Sequence, residues 1–403
     1  MPWRFDNLTT QLGRRAVFGL SAFAQTFPHI RHVFFQGRNA DGSGDGHIHE
    51  FYWDGIDTTT GWHHNDLTNN THAPLAADIG FPSSYMFKGS GTQHVIYQGL
   101  GDAGRINELW WDGDWHHNDL TSAAGNAPLT IGLPFGYEYS FFDTIGQRNI
   151  ISQRVVYHTS DNRLHLLYWV GANRHWHHMP LPGVPGVGSR PTAYVFSVQG
   201  QAIQGQASQR VLYLSRDLGV EDILHVHELT WNEQGLNNSN WVPNDLTVLT
   251  GAPPLGPGDS DPVGLMHDLE FTLHVFYGRE QDRHLYELYW NDSGWHVNDL
   301  TATMGVQPVG GRPLAYVHLQ QGTLNVNFIG TDGHIHALWR EVGMPWNSVN
   351  QENLTLPIGA PPALTQPVGF VFQDLTQHMF YIADNSPPFS RIGDIIELTD
   401  ADE

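Results

Sequence analysis

The segment Trp62–Thr68 reads WHHNDLT and returns unchanged at Trp115–Thr121, and this repetition decides the fold. Related segments keep the leading tryptophan and most of the Asn-Asp-Leu-Thr ending. They are WRFDNLT at 3–9, WHHMPLP at 176–182, WVPNDLT at 241–247, WHVNDLT at 295–301 and a copy with an insertion, ending ENLT, at 346–355. The successive endings lie 53 to 65 residues apart. A regular period of this length indicates an array of small supersecondary units.

Three shorter apolar segments precede each ending, and all are rich in β-branched and aromatic residues. In one repeat they are YMF at 85–87, HVIY at 94–97 and INELWW at 106–111. Gly, Asp, Asn or Pro residues bound these segments, as expected for strands that are joined by turns. Four antiparallel strands in about 50 residues are the signature of a propeller blade.

The two ends of the chain set the number of blades. After residue 355 the chain supplies three strands, at 370–372, 378–381 and 395–399, and the missing fourth strand is WRFDNLT at 3–9. We predict an all-β, seven-bladed β-propeller of four-stranded antiparallel blades, whose N-terminal strand completes the C-terminal blade and closes the ring. It forms a single domain over 1–403, with blades at 10–68, 69–121, 122–182, 183–247, 248–301, 302–355 and 356–403 plus 1–9. The alternative is a ring of six blades with flanking arms. In that case the match of both chain ends to the repeat would be accidental.

Composition excludes several classes of function. The chain has 41 acidic and 19 basic residues, a net charge of -22, and no basic stripe that suits nucleic acid or an anionic membrane. It has no cysteine, so disulfides, thiolate nucleophiles and Cys-zinc sites are impossible. No apolar run reaches 18 residues or forms a signal peptide at the N-terminus. We expect a soluble protein without membrane insertion, cytoplasmic by default, with non-classical secretion left open.

A basic residue in the second strand and a glutamate in the third recur as a pair. The pairs are His32/Glu50, His94/Glu108, Arg210/Glu228, His274/Glu287 and His378/Glu397, while blade three has Arg154/Leu166 and blade six has Asn325/Ala337. A glutamate among apolar residues needs a hydrogen-bond partner. One interpretation is a repeated structural tie. The other is a set of pockets between blades that clamp sugar hydroxyls, and the loss of the pair in two blades favours it.

Other polar and aromatic repeats have simpler interpretations. Histidines two apart share a strand face, but no third metal ligand at a repeated position is evident, so we expect hydrogen bonding for His47/His49, His225/His227 and His334/His336. Adjacent histidines face opposite sides at His63/His64, His116/His117 and His177/His178. We expect Asn65-Asp66 and Asn118-Asp119 to cap the turn after the strand. Core packing is the default role of Trp62, Trp115, Trp241 and Trp295, with sugar stacking as the alternative. We predict no metal and no cofactor.

Signals for catalysis are weak. The chain has no GxSxG elbow, no P-loop, no HExxH and no repeated Ser-x-Asp-x-Gly-x-x-Trp turn. A catalytic site in a propeller is usually asymmetric, whereas here the polar residues recur with the repeat. We therefore predict a protein that is not an enzyme and has no catalytic residues.

The segments HIRHVFFQ at 29–36 and GHIHEFYWDG at 46–55, followed by Gly61-Trp62, resemble blades of the Aleuria-type fucose-specific lectins of fungi and bacteria. The chain is also similar to bacterial repeat proteins rich in HELWWDGGWHHNDLT. In the lectins, an arginine of strand two and a glutamate of strand three hold the sugar, beside a tryptophan or tyrosine. The resemblance implies that Arg210 and Glu228 bind sugar in the same way. In the four pairs where histidine replaces arginine, it implies a sugar contact from histidine and glutamate. The rings of that family typically have six blades, one fewer than predicted here.

We predict a multivalent carbohydrate-binding protein, a lectin, whose partners are glycans or glycoconjugates, with fucose-type sugars bound between blades. The candidate residues are Arg210, Glu228, His32, Glu50, His94, Glu108, His274, Glu287, His378, Glu397, Trp62, Trp115, Trp241 and Trp295. The alternatives are a protein-interaction scaffold and, less favoured, a glycan-active enzyme at the central channel. The sequence leaves the oligomeric state open.

Overall fold

The computed structural model describes most of the chain, and every statement below refers to the part that it describes. The described residues are 3–25, 29–55, 61–77, 81–101, 104–143, 148–171, 175–183, 186–196, 208–216, 223–232, 241–256, 259–372, 376–384 and 393–400.

Seven four-stranded antiparallel sheets make up the structure. The strands are β1 (Trp3–Asn7), β2 (Ser21–Gln25), β3 (Ile30–Arg38), β4 (Gly44–Trp53), β5 (Trp62–Asp66), β6 (Ser83–Phe87), β7 (Thr92–Gln98), β8 (Ile106–Trp111), β9 (Trp115–Asp119), β10 (Phe135–Asp143), β11 (Arg148–His158), β12 (Leu164–Val170), β13 (Trp176–Pro180), β14 (Thr192–Phe196), β15 (Ser208–Arg216), β16 (Leu224–Asn232), β17 (Trp241–Asp245), β18 (Val263–His267), β19 (Thr272–Arg279), β20 (His284–Asn291), β21 (Gly294–Asp299), β22 (Leu314–His318), β23 (Thr323–Ile329), β24 (Ile335–Glu341), β25 (Gln351–Asn353), β26 (Val368–Val371), β27 (Gln377–Ile382) and β28 (Ile395–Asp400). Blade one consists of β2 to β5, and the blades are numbered in chain order up to blade seven, which contains β26, β27, β28 and β1.

Short helices follow the fourth strand of several blades. In the described residues they are α1 (Leu8–Leu12), α2 (Leu67–Thr71), α3 (Leu120–Ala123), α4 (Leu246–Thr250) and α5 (Leu300–Met304). None of these described helices is long and apolar enough to cross a membrane.

The N-terminal strand closes the ring. β1 pairs antiparallel with β28, with Trp3 opposite Asp400 and Asn7 opposite Ile396. The first strands of neighbouring blades contact one another in a full circle, from β2 through β6, β10, β14, β18, β22 and β26 back to β2. The predicted seven-bladed propeller and its closure are therefore confirmed. The first strands surround the central axis, and the fourth strands lie outermost.

Apolar side chains fill the spaces between blades. Successive residues of a strand face opposite sides, so Val33 and Phe34 of β3 belong to different clusters. Val33 packs with Phe380 of blade seven, and Phe34 packs with Val95 of blade two. The second strand of most blades buries apolar side chains on both faces, because each blade lies between two neighbours. This packing also brings polar side chains of one blade against the next.

The Asn-Asp-Leu-Thr ending joins the fourth strand of a blade to the third. Asp66 is the N-cap of α2 and accepts the backbone N–H of Asn69 at 3.0 Å. The hydroxyl oxygen of Thr68 accepts the backbone N–H of Ile48 in β4 at 2.9 Å. The cap recurs at Asp119, Asp245 and Asp299, and the threonine contact recurs at Thr9, Thr121, Thr247, Thr301 and Thr355. The predicted capping by Asp66 and Asp119 is confirmed.

Thr68→Val is expected to lower the free energy of unfolding by about 1–3 kcal/mol, because the buried N–H of Ile48 loses its acceptor. Valine keeps the shape of threonine, so no cavity adds to the loss. The matched control is Thr68→Ser, which keeps the hydroxyl and is expected to lose about 0.5–1.5 kcal/mol for its buried methyl group and the small cavity left behind. Urea denaturation measures the difference, and equal losses in both variants would contradict the role of the hydroxyl.

Candidate functional site

The five predicted pairs of a basic residue and a glutamate all form hydrogen bonds. His32 donates from Nδ1 to Oε1 of Glu50 at 2.7 Å, and Arg210 donates from Nη1 to Oε2 of Glu228 at 2.6 Å. The other three, each at 2.8 Å, are His94–Glu108, His274–Glu287 and His378–Glu397. Most of these side chains are at most 5% exposed, and that of Arg210 is 15% exposed. The residues therefore meet as closed pairs, and their contact with a sugar stays a prediction.

An asparagine of the fourth strand completes four of these pairs. Asn65 donates from Nδ2 to Oε2 of Glu50 at 2.8 Å. The equivalent bonds are Asn118–Glu108, Asn244–Glu228 and Asn298–Glu287. The prediction that Asn65 and Asn118 cap the turn is wrong. Their side chains face the third strand, because they lie directly opposite the glutamates in the strand pairing.

The four predicted tryptophans pack between blades. Trp62 lies against Phe380 of blade seven, with ring centroids 5.9 Å apart, and Trp115 meets Phe34 of blade one edge-on at 6.2 Å. Trp241 belongs to the cluster between blades three and four, and Trp295 packs on the one between blades four and five. Trp62 and Trp241 are buried, whereas Trp115 and Trp295 are half-buried. Core packing is thus confirmed, and sugar stacking stays a prediction.

Two arginines that the repeat did not single out bind glutamates of the preceding blade. Arg31 donates from Nη1 to Oε1 of Glu397 at 2.8 Å and lies 4.0 Å from the centre of the Trp53 ring. Burial acts to raise the pKa of Glu397, but the hydrogen bond from His378 and the charge of Arg31 outweigh it and hold the pKa below its usual value. Arg340 lies at the junction of blades five and six, where it binds Glu270 through both nitrogens.

The bond between Arg340 and Glu270 predicts a pH dependence of stability. Burial acts to raise the pKa of Glu270, but hydrogen bonds from Arg340 and from the backbone of Gly343 lower it from 4.5 to about 2. The unfolded chain takes up this proton at higher pH than the folded chain. The stabilisation is therefore complete above pH 4.5 and is lost as the pH falls toward 2.

Arg340→Gln is accordingly expected to unfold at a lower temperature than the parent protein at pH 7, with a difference that shrinks below pH 4.5. Arg163→Gln removes an exposed arginine and serves as the control. Thermal unfolding at several pH values between 7 and 2.5 measures both variants. A difference for Arg340→Gln that stays constant over this range would contradict the assignment.

Blade six moves its carboxylate from the third strand to the fourth. Ala337 occupies the glutamate position, and Glu352 lies directly opposite, where four other blades have asparagine. Trp3 of blade seven donates from Nε1 to Oε1 of Glu352 at 3.1 Å. Trp346 donates in the same way to Glu287 at the preceding junction, at 2.8 Å. The sequence signal is the ENLT ending, in which Glu352 replaces the asparagine of NDLT.

Blade three departs from the pattern in another way. Leu166 replaces the glutamate and is fully buried. The guanidinium of Arg154 lies 4.8 Å from the centre of the Tyr139 ring and 5.7 Å from that of Tyr168. Aromatic faces thus surround the basic group where other blades provide a carboxylate, and such contacts stabilise a cation electrostatically.

A cavity of about 230 Å³ opens between blades six and seven. Asn325 and Ala337 stand where other blades have a longer pair, so side-chain volume is missing at this junction. The lining combines two indoles with carboxylates and amides, among them Trp3, Trp339, Glu352, Asp400, Gln377 and Asn325. Aromatic faces beside a few convergent polar groups are typical of small-molecule sites. The prediction from sequence did not include this junction among the candidates.

The histidines two apart are held by acidic and hydroxyl groups. His47 bonds to Asp66, and His334 bonds to Thr355, each through Nδ1 at 2.9 Å. The third case differs, because His225, His227 and Asp245 place one ligand atom each within 4.8 Å of one another. The expectation of no third ligand at a repeated position is therefore wrong, since Asp245 is the repeated capping aspartate. Its carboxylate and the two imidazoles are groups that zinc accepts.

The adjacent histidines face opposite sides of their strand, as predicted. His64 bonds through Nε2 to Nδ1 of His49 at 3.0 Å. His63 instead stacks on Tyr52, with ring centroids 4.9 Å apart. The two imidazoles therefore belong to different surroundings.

The closed ring and its polar junctions define a seven-bladed propeller with candidate binding sites between blades. No protein-family model matches the chain, and no curated protein matches it. Among solved structures it is similar to AofleA from Arthrobotrys oligospora, with 15% identity, coverage of 88% of this chain and 91% of that chain, and a TM-score of 0.50.

Two further solved structures are similar in arrangement. The polysaccharide lyase PL25 ulvan lyase, bound to -[GlcA(1-4)Rha3S]-, is 11% identical, with coverage of 95% and 93% and a TM-score of 0.51. The six-bladed fungal lectin of Aleuria aurantia is 16% identical, with coverage of 78% and 94% and a TM-score of 0.44. At identities this low, the likeness to AofleA and to the ulvan lyase shows the fold alone. The predicted resemblance is confirmed for the fold.

Proposed function

We propose that this protein is a multivalent lectin that binds carbohydrate at the junctions between its blades. The observation that carries the proposal is the cavity between blades six and seven, which has room for a small ligand and a lining of indoles and polar groups. A monosaccharide offers apolar C–H faces and hydroxyls that both donate and accept. Indole rings pack against the C–H faces, and carboxylates and amides form hydrogen bonds with the hydroxyls.

Glu352 is the proposed hydrogen-bond acceptor for sugar hydroxyls in this cavity. Its bond from Trp3 uses one of about four lone-pair sites on the carboxylate, so further donors are accommodated. The same bond fixes the orientation of the Trp3 indole at the wall of the cavity. Position and orientation of both groups are therefore set before a ligand arrives, which reduces the entropy lost on binding.

Further sites are proposed at the five closed pairs, with fucose-type monosaccharides as ligands. Arg210 and Glu228 are the first of them, because Arg210 is the most exposed basic group of the five pairs. A guanidinium also presents several donors in a planar fork, unlike an imidazole. Several weak sites on one rigid ring raise the avidity for a glycan-bearing surface.

A glycan array followed by calorimetric titration of the best monosaccharide tests this function. The parent protein is expected to bind at least one glycan with more than one site per chain. Glu228→Ala is expected to remove one site. Arg4→Gln changes an exposed residue and is the control, which is expected to leave the number of sites per chain unchanged. If no glycan on the array binds the protein, the proposal is wrong. Capture of a protein partner that free sugar does not displace would favour the scaffold instead.

A further inference from the structure

Seven positions surround the axis at the end where the first strands begin. In six blades the residue at this position precedes a proline that leads into the strand, and blade one has Gly19 there. The six are Phe81, Leu133, Arg190, Asp261, Arg312 and Gln366. The repeat does not dictate their chemistry, because glycine, apolar, amide, acidic and basic residues all occur. The two arginines are therefore not a requirement of the blade fold.

A cavity of about 560 Å³ occupies this end of the axis. Arg190, Asp261 and Arg312 of the ring line it, together with Arg279 and Arg283 from a neighbouring turn. The lining also contains three carboxylates, those of Asp259, Asp261 and Glu280. Arginines therefore outnumber acidic residues at this cavity, in a chain with only 19 basic residues and a net charge of -22. A second cavity of about 280 Å³ continues along the first strands and shares Arg190 and Arg312.

Some of the charged groups at this cavity are already bound within the protein. Arg279 donates from Nη1 to Asp282 at 2.5 Å and from Nε to the carbonyl of Pro254 at 2.8 Å. Asp259 accepts the backbone N–H groups of Gly256 and Glu280 at 2.6 and 2.5 Å. These contacts hold the turns that form the wall.

Arg190 and Arg312 line both cavities, and Asp261 lines the larger one beside them. In the described part of the chain the Nε–H groups of Arg190 and Arg312 are buried and have no hydrogen-bond partner. Burial and repulsion by Arg312 lower the pKa of Arg190 to about 9, while Asp261 acts in the opposite direction. Burial likewise lowers the pKa of Arg312. One aspartate thus faces two cations that repel each other.

We propose that this axial cavity is a binding site for an oxyanion, held between Arg190 and Arg312. Guanidiniums bind carboxylate, sulfate and phosphate groups through parallel hydrogen bonds, and an anion removes the repulsion between them. The cavity falls within the range of about 300–1,000 Å³ that is common for ligand sites, so it has room for an oxyanion that is carried on a larger molecule. The site lies on the axis and is not repeated, so it is independent of the proposed carbohydrate sites.

Calorimetric titration with sodium sulfate, sodium phosphate and sodium glucuronate, at constant ionic strength, tests the proposal. At least one of these anions is expected to bind the parent protein at one saturable site per chain. The order of the three affinities identifies the preferred group. Arg190→Gln and Arg312→Gln are each expected to raise the Kd at least tenfold. Arg4→Gln makes the same charge change on the outermost strand of blade seven and is expected to alter the Kd less than twofold.

Thermal unfolding without ligand separates lost binding from misfolding. Each glutamine variant is expected to unfold at or above the temperature of the parent protein, because one of two repelling charges is removed. In crystals of the parent protein grown with selenate, the anomalous peak is expected within hydrogen-bond distance of both guanidiniums. No titration by any of the three anions, parent affinity in both variants, or a peak elsewhere would overturn the site. Ala337→Leu, in the cavity between blades six and seven, is expected to leave anion binding intact. Failure of the proposed anion site can therefore be distinguished from failure of the proposed carbohydrate site.

Discussion

Glu287→Ala is expected to lower the free energy of unfolding by about 3–5 kcal/mol, because three hydrogen-bond donors lose a buried, charged acceptor. The carboxylate of Glu287 accepts hydrogen bonds from His274 at 2.8 Å, Asn298 at 2.6 Å and Trp346 at 2.8 Å. Burial acts to raise the pKa of Glu287, but these bonds outweigh it and keep the pKa below its usual value. Alanine leaves the buried imidazole of His274 and the half-buried side chains of Asn298 and Trp346 without an acceptor. Urea denaturation measures the loss.

Two further variants separate the contributions. Glu287→Gln keeps the shape and one acceptor oxygen, so we expect a smaller loss than for alanine. The double variant His274→Leu with Glu287→Leu replaces both members of the pair by apolar groups, which is often nearly neutral. Asn298 and Trp346 still lose their acceptor, so we expect a loss that is smaller than for Glu287→Ala but not zero. A loss of less than about 1 kcal/mol for Glu287→Ala would show that the pair contributes little to folding.

The same variants decide between the two roles of the repeated pairs. A structural tie predicts that the double variant folds and keeps all its carbohydrate sites. A ligand-binding pair predicts that the double variant folds but binds one sugar fewer per chain. Titration therefore distinguishes the two roles, and unfolding confirms that the variant is folded. Blade six shows that the ring closes without the pair, since Asn325 and Ala337 occupy its positions.

The ring could be predicted from the sequence because each blade repeats the same local signals. Trp62–Thr68 and its copies mark the fourth strand of each blade. The copy at the N-terminus is the fourth strand that the C-terminal blade lacks. Pairing of the five basic residues with their glutamates was also predictable, since both lie on adjacent strands of one sheet. These features depend on contacts within a single blade.

Contacts between blades could not be read from the repeat. Arg31 reaches Glu397 across 366 positions of sequence, and only the closure of the ring brings them together. The role of Asn65 depends on which face of the strand it occupies, and a shift of one residue reverses that face. The cavity between blades six and seven could not be predicted, because in the sequence the absence of a pair in blade six indicates a lost site. In the structure the shorter side chains of Asn325 and Ala337 create space there, and Glu352 supplies the carboxylate.

Ala337→Leu is expected to remove the carbohydrate site between blades six and seven. Ala337 lies opposite Glu352 in the strand pairing and lines the cavity of about 230 Å³. A leucine side chain adds three carbon atoms in this space and covers the carboxylate, so a sugar loses both room and acceptor. Calorimetric titration with the monosaccharide found on the array is expected to show one site fewer per chain, or at least a tenfold loss of affinity if this is the only site that the sugar occupies.

Stability distinguishes this effect from damage to the fold. The added carbon atoms enter empty space, so the variant is expected to unfold at or slightly above the temperature of the parent protein, rather than below it as in an overpacked core. Ala302→Leu, on the exposed face of α5, makes the same change away from the cavity and should leave binding unchanged. If Ala337→Leu is stable and retains every site at parental affinity, the sugar binds elsewhere. The closed pairs, with Arg210 and Glu228 first, would then have to open to admit it.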